Sequence, residues 1–315
     1  DDPLFLLATE VSCIYTQGGK GRRVHTLIWV PTIASALKIN KEMTRQGCNL
    51  MSDGRPIIGL TSIQVAELVL TIEPHALIIP AHAWTPWFSV YGSKSGFDSI
   101  EEAFGPYAKH IYAIETGLSS NPSMNWRIKE LDNRSIVSFS DAHSGPKLGR
   151  EATVFDLEEL RYNAIYEAIK QSGTSKIAYT IEFYPEEGKY HWSGHRICNI
   201  RWSPEETEKN GTTCPVCGKL LVEGVEQRIG RLAGRSEKDL RLVKTKSGMI
   251  MSKAFPKRPP FVMLVPLQEI ISECIGSPVA SPKVQTPYRQ LTDTLGGEFE
   301  VLLAAGIGRA IRMWG

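Results

Sequence analysis

The sequence lacks a long hydrophobic run. Although 42% of its 315 residues are hydrophobic, no apolar stretch approaches the ~18 residues that a membrane-spanning helix needs. The first residues, from Asp1 to Leu7, have no basic lead and do not resemble a secretory signal peptide. We therefore expect a cytoplasmic protein without a membrane partner, and the length of the chain predicts two or three domains.

Cysteine is scarce, with six residues in the whole chain. Without a secretory signal, a reducing compartment is the default and a disulfide framework is not expected. Cys13, Cys48 and Cys274 are isolated and lie next to apolar residues, which predicts buried, reduced thiols. Cys214 and Cys217 form a close pair and need a separate explanation.

Neither sign of charge dominates the chain, because the formal net charge is only +2. The two parts nevertheless differ: residues 1–200 have 19 basic and 22 acidic side chains, whereas residues 201–315 have 17 basic and 12 acidic ones. Segment 228–258 alone has ten basic and two acidic side chains. This asymmetry fits an acid-rich site beside a surface for a polyanion. A solvated, flexible loop is the alternative explanation for the basic segment.

Short apolar runs alternate with amphipathic segments from residue 1 to about residue 180. The runs predict strands at Leu4–Thr9, Thr26–Val30, Ala76–Ile79, Ala113–Ile114 and Ile136–Phe139. The segments between them predict helices at Ala34–Arg45, Thr61–Ile72, Ile100–Phe104, Ser123–Asp132 and Glu158–Gln171. This alternation indicates an α/β domain with a mostly parallel sheet, either open or closed into a barrel. The composition then becomes aromatic with His and Cys over 189–217, Gly-rich and basic over 218–258, and apolar and helical from 259.

Metal-binding side chains follow the predicted strands of the first part. Glu10 follows the first run, His82 the third, Glu115 the fourth, and Asp141 with His143 the fifth. Active-site residues of α/β folds gather at the carboxyl ends of strands. We therefore expect these side chains to lie together, although each one alone is more often a satisfied buried polar group.

The types of these side chains suit divalent metal ions. Asp141 and His143 are two residues apart at a predicted strand end, and a carboxylate with an imidazole is a common donor set for Zn²⁺, Mn²⁺ or Fe ions. Glu10 could bridge two ions, and His25 at the start of the next strand could complete a neighbouring one. A single Asp-x-His motif is common by chance, and a lone histidine such as His25 is more often a surface or core residue.

Two tryptophans follow His82 in the run Pro80-Ala81-His82-Ala83-Trp84-Thr85-Pro86-Trp87. Trp84 and Trp87 next to a metal-binding histidine would form an aromatic mouth, on which a base or an abasic sugar could stack. Packing of both tryptophans in the core is the alternative.

A second group of ligands lies further along the chain. His195 and Cys198 form one pair with a two-residue spacer, and Cys214 and Cys217 form another. Two such pairs separated by a short loop match a zinc ribbon or knuckle. We expect one structural zinc ion, because four protein ligands leave no open position for substrate. His191 is a competing ligand whose spacing fits less well.

Nine short motifs, spread in order over nearly the whole chain, form a family pattern. They are Arg23-Val24-His25, Pro80–Trp87, Glu115–Ser120, Ser140–Ser144, Leu148–Glu151, Gly188–His191, Cys214–Gly218, Arg258–Phe261 and Val265–Ile271. In these motifs the chain resembles the endonuclease Q family of DNA-repair enzymes.

This resemblance implies a distorted β/α barrel of the polymerase-and-histidinol-phosphatase (PHP) class, followed by a zinc-binding module and a helical module. The implied boundaries are a catalytic PHP domain at 1–185, the zinc module at 186–228, a basic loop or linker at 229–258 and the helical domain at 259–315. The implied activity is metal-dependent cleavage of DNA on the 5′ side of uracil, hypoxanthine, xanthine or an abasic site. Damaged DNA is the implied partner, with a sliding clamp or other repair proteins as further candidates.

The resemblance also assigns roles to residues. Two or three divalent ions (Zn, Mn, Mg or Fe) would be held by Glu10, His25, His82, Asp141 and His143, with Glu115 as an additional candidate. Glu10 and Asp141 would be the catalytic carboxylates, Glu10 by bridging ions and Asp141 by holding the attacking water and accepting its proton. The residues expected to contact DNA or the lesion are Trp84, Trp87, Arg150, Lys244 and Lys246.

The sequence departs from the family pattern at three places. The family opens with a strand that carries Asp-x-His-x-His and a further metal ligand, which would lie before Asp1, so we expect the chain to be incomplete at its N-terminus. His195 stands where relatives have a cysteine, a change that preserves zinc binding. The basic stretch Arg235–Lys257 is longer than in relatives. Two alternatives therefore stay open: a PHP phosphoesterase for a small phosphorylated substrate, which would need neither zinc module nor basic segment, and a non-catalytic DNA-binding protein.

Overall fold

The computed structural model describes residues 4–51 and 54–305 of the chain. These residues form a mixed α/β fold with 13 strands and 11 α-helices. The strands are β1 (Leu7–Gln17), β2 (Lys20–Val30), β3 (Ile57–Ile58), β4 (Leu77–Pro80), β5 (Ala113–Glu115), β6 (Ser135–Val137), β7 (Ala152–Asp156), β8 (Lys176–Glu182), β9 (Ser193–His195), β10 (Ile200–Trp202), β11 (Leu242–Lys244), β12 (Ile250–Ser252) and β13 (Phe261–Met263). The helices are α1 (Ile33–Arg45), α2 (Ser62–Ile72), α3 (Ile100–Phe104), α4 (Pro122–Asn125), α5 (Tyr162–Lys170), α6 (Pro204–Asn210), α7 (Val225–Leu232), α8 (Glu237–Leu240), α9 (Leu267–Ile275), α10 (Pro282–Leu295) and α11 (Glu298–Ala305).

A long antiparallel hairpin organises the first sheet. β1 and β2 pair along their whole length and are joined by Gly18 and Gly19, whose positive φ angles of 60° and 72° fit a tight hairpin turn. The sheet has the order β3-β1-β2-β4, in which β2 and β4 are antiparallel and only β1 and β3 are parallel. The prediction of a mostly parallel sheet is therefore wrong. The first strand continues to Gln17, where the glycine turn returns the chain directly into β2.

Both faces of this sheet are covered, and side chains alternate between them. Val11, Cys13, Val24 and Ile28 face the helices α1, α2 and α3 in the largest core cluster. The other face contributes its own core cluster with helix α5 and strands β5 and β6, formed by Trp29, Leu77, Ile79, Ala113, Val137, Tyr162, Ile165, Tyr166, Ile169 and Ile177. Residues Leu4 to Leu7, predicted as part of a buried strand, are exposed.

The remaining strands form three further sheets. β5 and β6 are a parallel pair, and β9 and β10 are an antiparallel pair. The third is a five-stranded sheet in the order β11-β12-β13-β8-β7. The strand pairing between residues 4 and 305 does not close into a barrel. Segment 229–258 is not a loop, because α8, β11 and β12 lie in it and the two strands extend the sheet of β8 through β13. β13, at the start of the predicted helical domain, belongs to that sheet as well.

Several helices agree with local sequence signals. Thr61 and Gln64 form a reciprocal capping box at the start of α2, with Gln64 N–H donating to Thr61 Oγ1 (3.1 Å) and Thr61 N–H to Gln64 Oε1 (2.9 Å). The helix predicted over Ser123–Asp132 is instead a short α4 and a separate turn at Lys129–Leu131. Cys13 and Cys48 are buried as predicted, but Cys274 is exposed on α9.

The last three helices pack against one another. Leu267 and Ile271 of α9 lie in one cluster with Val284 of α10 and Val301 of α11. Across the described part of the chain, every helix is too short or too polar to span a bilayer.

Candidate metal centres

Three side chains from different strands converge on one point. Glu10 Oε1 lies 2.9 Å from His25 Nδ1 and 3.5 Å from His82 Nε2, and the two ring nitrogens are 3.0 Å apart. One ligand atom from each residue lies within 4.8 Å of the other two. A carboxylate and two imidazoles at this separation are a suitable donor set for a divalent transition-metal ion.

The hairpin places two of the three. Ser12 pairs with His25 in the ladder between β1 and β2, and Glu10 lies two residues before Ser12, so Glu10 and His25 are diagonal neighbours on one face of the sheet. Glu10 thus lies inside a strand and not at its end, which corrects the position expected from the sequence.

His82 reaches the group from the turn after β4. Its φ of 30° is rare for a residue with a side chain, and such strain is often found at functional sites. The backbone N–H of His82 donates to Glu115 Oε2 at 2.7 Å, and its Nδ1 lies 3.2 Å from Ser89 Oγ. Gly117 permits this conformation, because a Cβ there would lie 2.5 Å from the Cβ of His82.

The surroundings give the three groups different proton affinities. Burial alone would raise the pKa of Glu10, but hydrogen bonds from His25 and His82 outweigh burial and lower the pKa below its ordinary value. Burial lowers the pKa of His25. Burial also acts to lower the pKa of His82, but Glu10, Glu115 and Asp141 together raise it. An ionised carboxylate beside a histidine that favours its neutral form fits a cation site.

Asp141 and His143 lie outside this converging group. Asp141 has a φ of 41°, and its side chain is near enough to act on the pKa of His82 and of Glu115. His143 is turned outward with 73% of its side chain exposed, and its Nδ1 lies 2.9 Å from the carbonyl oxygen of Asp141. The structure therefore places Asp141 near the group and leaves His143 away from it.

Arg150 and Lys147 hold the loop that contains Asp141 and His143. Arg150 Nε donates to the carbonyl oxygen of Ser140 at 2.8 Å, and its NH2 donates to that of Asp141 at 3.2 Å. Lys147 forms an ion pair with Glu269 of α9. In this conformation Arg150, expected to contact DNA, instead stabilises the loop.

Two buried carboxyl groups near the site had no predicted role. Glu182, the last residue of β8, accepts hydrogen bonds from Thr180 and Ser138, and burial raises its pKa to about 8. Glu151 accepts from the N–H of Phe183, while its Oε2 is buried without a described partner. Burial likewise raises the pKa of Glu115 to about 7. Glu182 ends an apolar strand much as Glu115 does, which is the signal that could have revealed it.

The two tryptophans after His82 differ. Trp84 is buried, stacks on Tyr91 at 4.5 Å between ring centroids, and donates to Asn125 Oδ1 at 2.7 Å. It is a core residue, so its predicted contact with a lesion is wrong for this conformation. Trp87 is half-buried and packs edge-on against Tyr190 at 5.6 Å.

Trp87 lines an open cavity of about 370 Å³, together with Arg23, Thr85, Pro86, Phe88 and Tyr190. The cavity lies beside Glu10, His25 and His82, the candidate metal group. The ring of Phe88 links the cavity to the group, since its centroid lies 4.9 Å from that of His25. The guanidinium of Arg23 lies 5.5 Å above the same ring.

His195, Cys198, Cys214 and Cys217 form a second converging group, also within 4.8 Å. Each pair ends before a residue with positive φ, Asn199 (51°) after Cys198 and Gly218 (71°) after Cys217, so the two turns have similar shapes. His191, the competing ligand, is buried against Trp192 and is not in the group.

The thiols of this second group also fit a cation. Burial would raise the pKa of Cys214, but the backbone N–H groups of Cys217 and Val216 outweigh it and lower the pKa to about 6. That thiol is therefore mostly in the thiolate form in which cysteine binds metal. Burial and the neighbouring thiols raise the pKa of Cys198 to about 11, so a bound cation would be needed to ionise Cys198 near neutral pH.

The basic segment 228–258 is only partly available to a polyanion. Arg228 is buried and donates to the carbonyl oxygens of Tyr91 and Phe97, and Arg235 and Arg258 both pair with Asp132. Lys244 and Lys246, on and after β11, are exposed and line a small cavity with Leu302 and Leu303. The count of basic residues in the sequence therefore overstates the exposed positive charge.

Comparison with known proteins gives matches over different parts of the chain. A family described as the MJ0043 C-terminal domain matches residues 266–312. The uncharacterized protein MJ0043 of Methanocaldococcus jannaschii is 33% identical over 233 residues, which are 72% of this chain and 27% of that protein. The region matched in a second curated relative, from Bacillus subtilis, makes up 57% of the length of that protein. The chain thus spans less than two thirds of the length of these curated relatives.

Two solved structures match over nearly the whole chain. The lesion-specific endonuclease PfuEndoQ from Pyrococcus furiosus is 30% identical with a TM-score of 0.76, over 95% of this chain and 70% of that one. A complex of endonuclease Q with a 27-mer duplex substrate, with an abasic lesion at its active site, is 31% identical with a TM-score of 0.74, over 91% and 67%.

Proposed function

Because the chain belongs to the endonuclease Q family, we propose that it contains the catalytic part of a metal-dependent DNA-repair endonuclease. The proposed reaction is hydrolysis of the phosphodiester on the 5′ side of a deaminated base (uracil, hypoxanthine or xanthine) or of an abasic site. The observation that carries the proposal is the convergence of Glu10, His25 and His82 within 4.8 Å.

The proposed metal centre has two or three divalent ions of Zn, Mn, Mg or Fe. Glu10, His25 and His82 would hold them, with Asp141 and Glu115 as further ligands. His143 would join them only if its exposed ring turned inward. Such ions supply a Lewis acid and a water that ionises near neutral pH. Glu10 keeps its negative charge across the neutral range, because its hydrogen bonds lower its pKa. Asp141 would accept the proton of the attacking water, a role supported by the effect of its charge on the pKa of His82.

DNA is the proposed partner. The cavity lined by Trp87, Tyr190 and Phe88 would receive an unstacked base or an abasic sugar, because aromatic faces suit bases of any sequence. Extrusion from the duplex is easiest at mispaired or abasic positions, which favours damaged sites. Lys244 and Lys246 are exposed and would contact backbone phosphates, so binding should weaken with salt.

The proposal extends to the organisation of the protein. We propose that the first sheets belong to a distorted PHP barrel, and that His195, Cys198, Cys214 and Cys217 hold one structural zinc ion. We also propose a cytoplasmic, nucleoid-associated location in a prokaryote and contacts with a sliding clamp or other repair proteins.

Cleavage of defined duplexes tests the function. The metal-loaded chain is incubated with duplexes that contain one uracil, hypoxanthine, xanthine or abasic site, and with the undamaged duplex as a control. We expect a nick on the 5′ side of the lesion, no nick in the undamaged duplex, and loss of activity with a chelator or in Glu10→Gln. The same preparations are analysed for bound metal and assayed with a chromogenic phosphomonoester.

The other outcomes identify the alternatives. Hydrolysis of the phosphomonoester without cleavage of any duplex would indicate a small-molecule phosphoesterase. Tight binding of the lesion duplex with a single zinc ion per chain and no cleavage would indicate a non-catalytic DNA-binding protein. Either result would overturn the proposal.

A further inference from the structure

Arg23 brings a positive charge to the wall of the cavity that Trp87, Phe88 and Tyr190 also line. Its side chain is exposed, and its guanidinium lies 5.5 Å over the ring of Phe88. The face of an aromatic ring attracts a cation through the ring quadrupole, so this contact stabilises the guanidinium at the cavity without occupying its N–H donors. An otherwise aromatic cavity therefore has one charged side.

The ladder of the first hairpin orients Arg23 toward the candidate metal group. Arg23 and His25 are two residues apart on β2, opposite Ile14 and Ser12 of β1. Side chains two residues apart leave the same face of a strand, with about 7 Å between their Cα atoms. Val24, between them, packs into the core on the other face. The guanidinium and the metal-binding imidazole are thus neighbours on one face of the sheet.

Backbone hydrogen bonds hold the loop of Phe88 against this face. His25 N–H donates to the carbonyl oxygen of Phe88 at 3.0 Å, and Arg23 N–H donates to that of Ser95 at 3.1 Å. Phe88 N–H donates in turn to Ser95 Oγ at 3.2 Å. Phe88 has a φ of 64°, which is rare for a bulky residue, and such strain is often found where a ligand is held.

The ring of Phe88 contacts both the imidazole of His25 and the guanidinium of Arg23. The metal group, the aromatic cavity and the cation are therefore parts of one continuous surface. The spacing of Arg23 and His25 along β2 is one that a single nucleotide, with a phosphate at each end, can span.

Resting on the proposed function, we infer that Arg23 binds the phosphate on the 3′ side of the lesion nucleotide. The 5′ phosphate of that nucleotide is the scissile one and lies at the metal group, and its sugar or base lies in the aromatic cavity. Its 3′ phosphate then lies one nucleotide away, where Arg23 supplies the positive charge. A guanidinium matches a phosphate in charge and in hydrogen-bond geometry. Arg23 is thus a specificity-determining residue that holds the lesion nucleotide in the orientation that presents its 5′ side.

The test measures DNA binding separately from cleavage. The probe is a fluorescent duplex with a tetrahydrofuran abasic site, in which a bridging methylene replaces the leaving oxygen of the scissile phosphodiester. A second probe also has a neutral methylphosphonate on the 3′ side of the lesion. Metal-loaded wild type, Arg23→Ala and Arg23→Lys are titrated by anisotropy at several salt concentrations. Arg45→Ala is the matched control, because Arg45 is an exposed arginine on α1 that pairs with Glu42.

We expect Arg23→Ala to bind the first probe about 10-fold or more weakly than the wild type, as for loss of a hydrogen bond to a charged group. The slope of log affinity against log salt should become shallower by about 1, the value for one phosphate contact. The methylphosphonate should weaken the wild type by a similar factor and add little to Arg23→Ala, because both changes remove the same contact. Arg23→Lys should keep part of the affinity, and Arg45→Ala should behave as the wild type does.

Three results would overturn the inference. In the first, the losses from Arg23→Ala and from the methylphosphonate add in full, so that they act on different contacts. In the second, the wild type binds both probes equally. In the third, Arg23→Ala weakens binding of a uracil duplex but not of the abasic one, so that Arg23 contacts the base. If the wild type cuts no lesion duplex with ordinary linkages, the proposed function fails, while the binding measurements still decide the role of Arg23.

Discussion

Replacement of Gly117 by alanine should disturb the metal group directly. The added Cβ would lie 2.5 Å from Cβ and 2.8 Å from Cα of His82, whereas ordinary contact begins at 3.4 Å. The two segments must therefore separate by about 1 Å. They are tied by the bonds from His82 N–H to Glu115 Oε2 and from Ala83 N–H to the carbonyl oxygen of Glu115, so separation breaks hydrogen bonds.

The size of the effect follows from two contributions. A left-handed φ of 57° costs a residue with a Cβ about 1–2 kcal/mol. Overpacking adds about 1–3 kcal/mol, so Gly117→Ala should lose about 2–5 kcal/mol of unfolding free energy. Because His82 would shift, the variant should also bind less metal and lose roughly 100-fold in kcat.

Chemical denaturation, metal analysis and lesion-duplex kinetics on the same preparations check this expectation. Gly47→Ala is the matched control, because Gly47 has a φ of 85° with open space around it and thus isolates backbone strain. If Gly117→Ala loses no more stability than Gly47→Ala and keeps its metal content and kcat, the close approach to His82 does not position that ligand, and the reasoning is refuted.

Two further predictions concern the second metal group and a buried carboxyl. Cys214→Ser should lose one zinc equivalent and melt at a lower temperature, because one thiolate ligand is removed, while Cys274→Ser, at an exposed thiol, should keep all its zinc. Equal zinc in both would show that Cys214 is not a ligand. Burial raises the pKa of Glu182 to about 8. Between about pH 5 and about pH 8 the unfolded chain therefore loses a proton that the folded chain keeps. The unfolding free energy of the wild type should fall over this range, by about 1.4 kcal/mol per unit of difference between the folded and unfolded pKa. Glu182→Gln has no carboxyl to titrate, so its stability should rise relative to that of the wild type over this pH range, as measured by melting at several pH values. The exposed control Glu208→Gln should show no such gain. Parallel curves for wild type and Glu182→Gln would contradict the burial argument.

Features encoded by neighbouring residues could be predicted well from the sequence. The capping box of Thr61 and Gln64 and the pairing of Cys214 with Cys217 depend on spacings of three residues, which a helix turn and a knuckle determine. The sequence also predicted that Glu10 and His82 lie together, but it placed both at the carboxyl ends of parallel strands. Their strands β1 and β4 belong to one sheet, with β2 between them, but Glu10 lies within an antiparallel hairpin and not at the end of a parallel strand.

Features that depend on distant contacts could not be predicted. Trp84 and Trp87 look alike in the sequence, and only packing against Tyr91 and Asn125 distinguishes the core residue from the cavity residue. Arg258 appears as free positive charge until Asp132 is found beside it, 126 residues away in the chain. The orientation of His143 depends on the loop backbone, for which the sequence has no periodic signal.

The hairpin of β1 and β2 brings two residues of the candidate metal centre together through contacts that are local in the sequence. Glu10 and His25 are joined through a short segment, so their spacing can form early in folding, before β4 brings in His82. The Gly18-Gly19 turn lies at the far end of the ladder from Glu10. Paired insertions there could lengthen the ribbon during evolution while the ligand geometry stays unchanged, but a slip of one residue would turn Glu10 to the opposite face and abolish the centre.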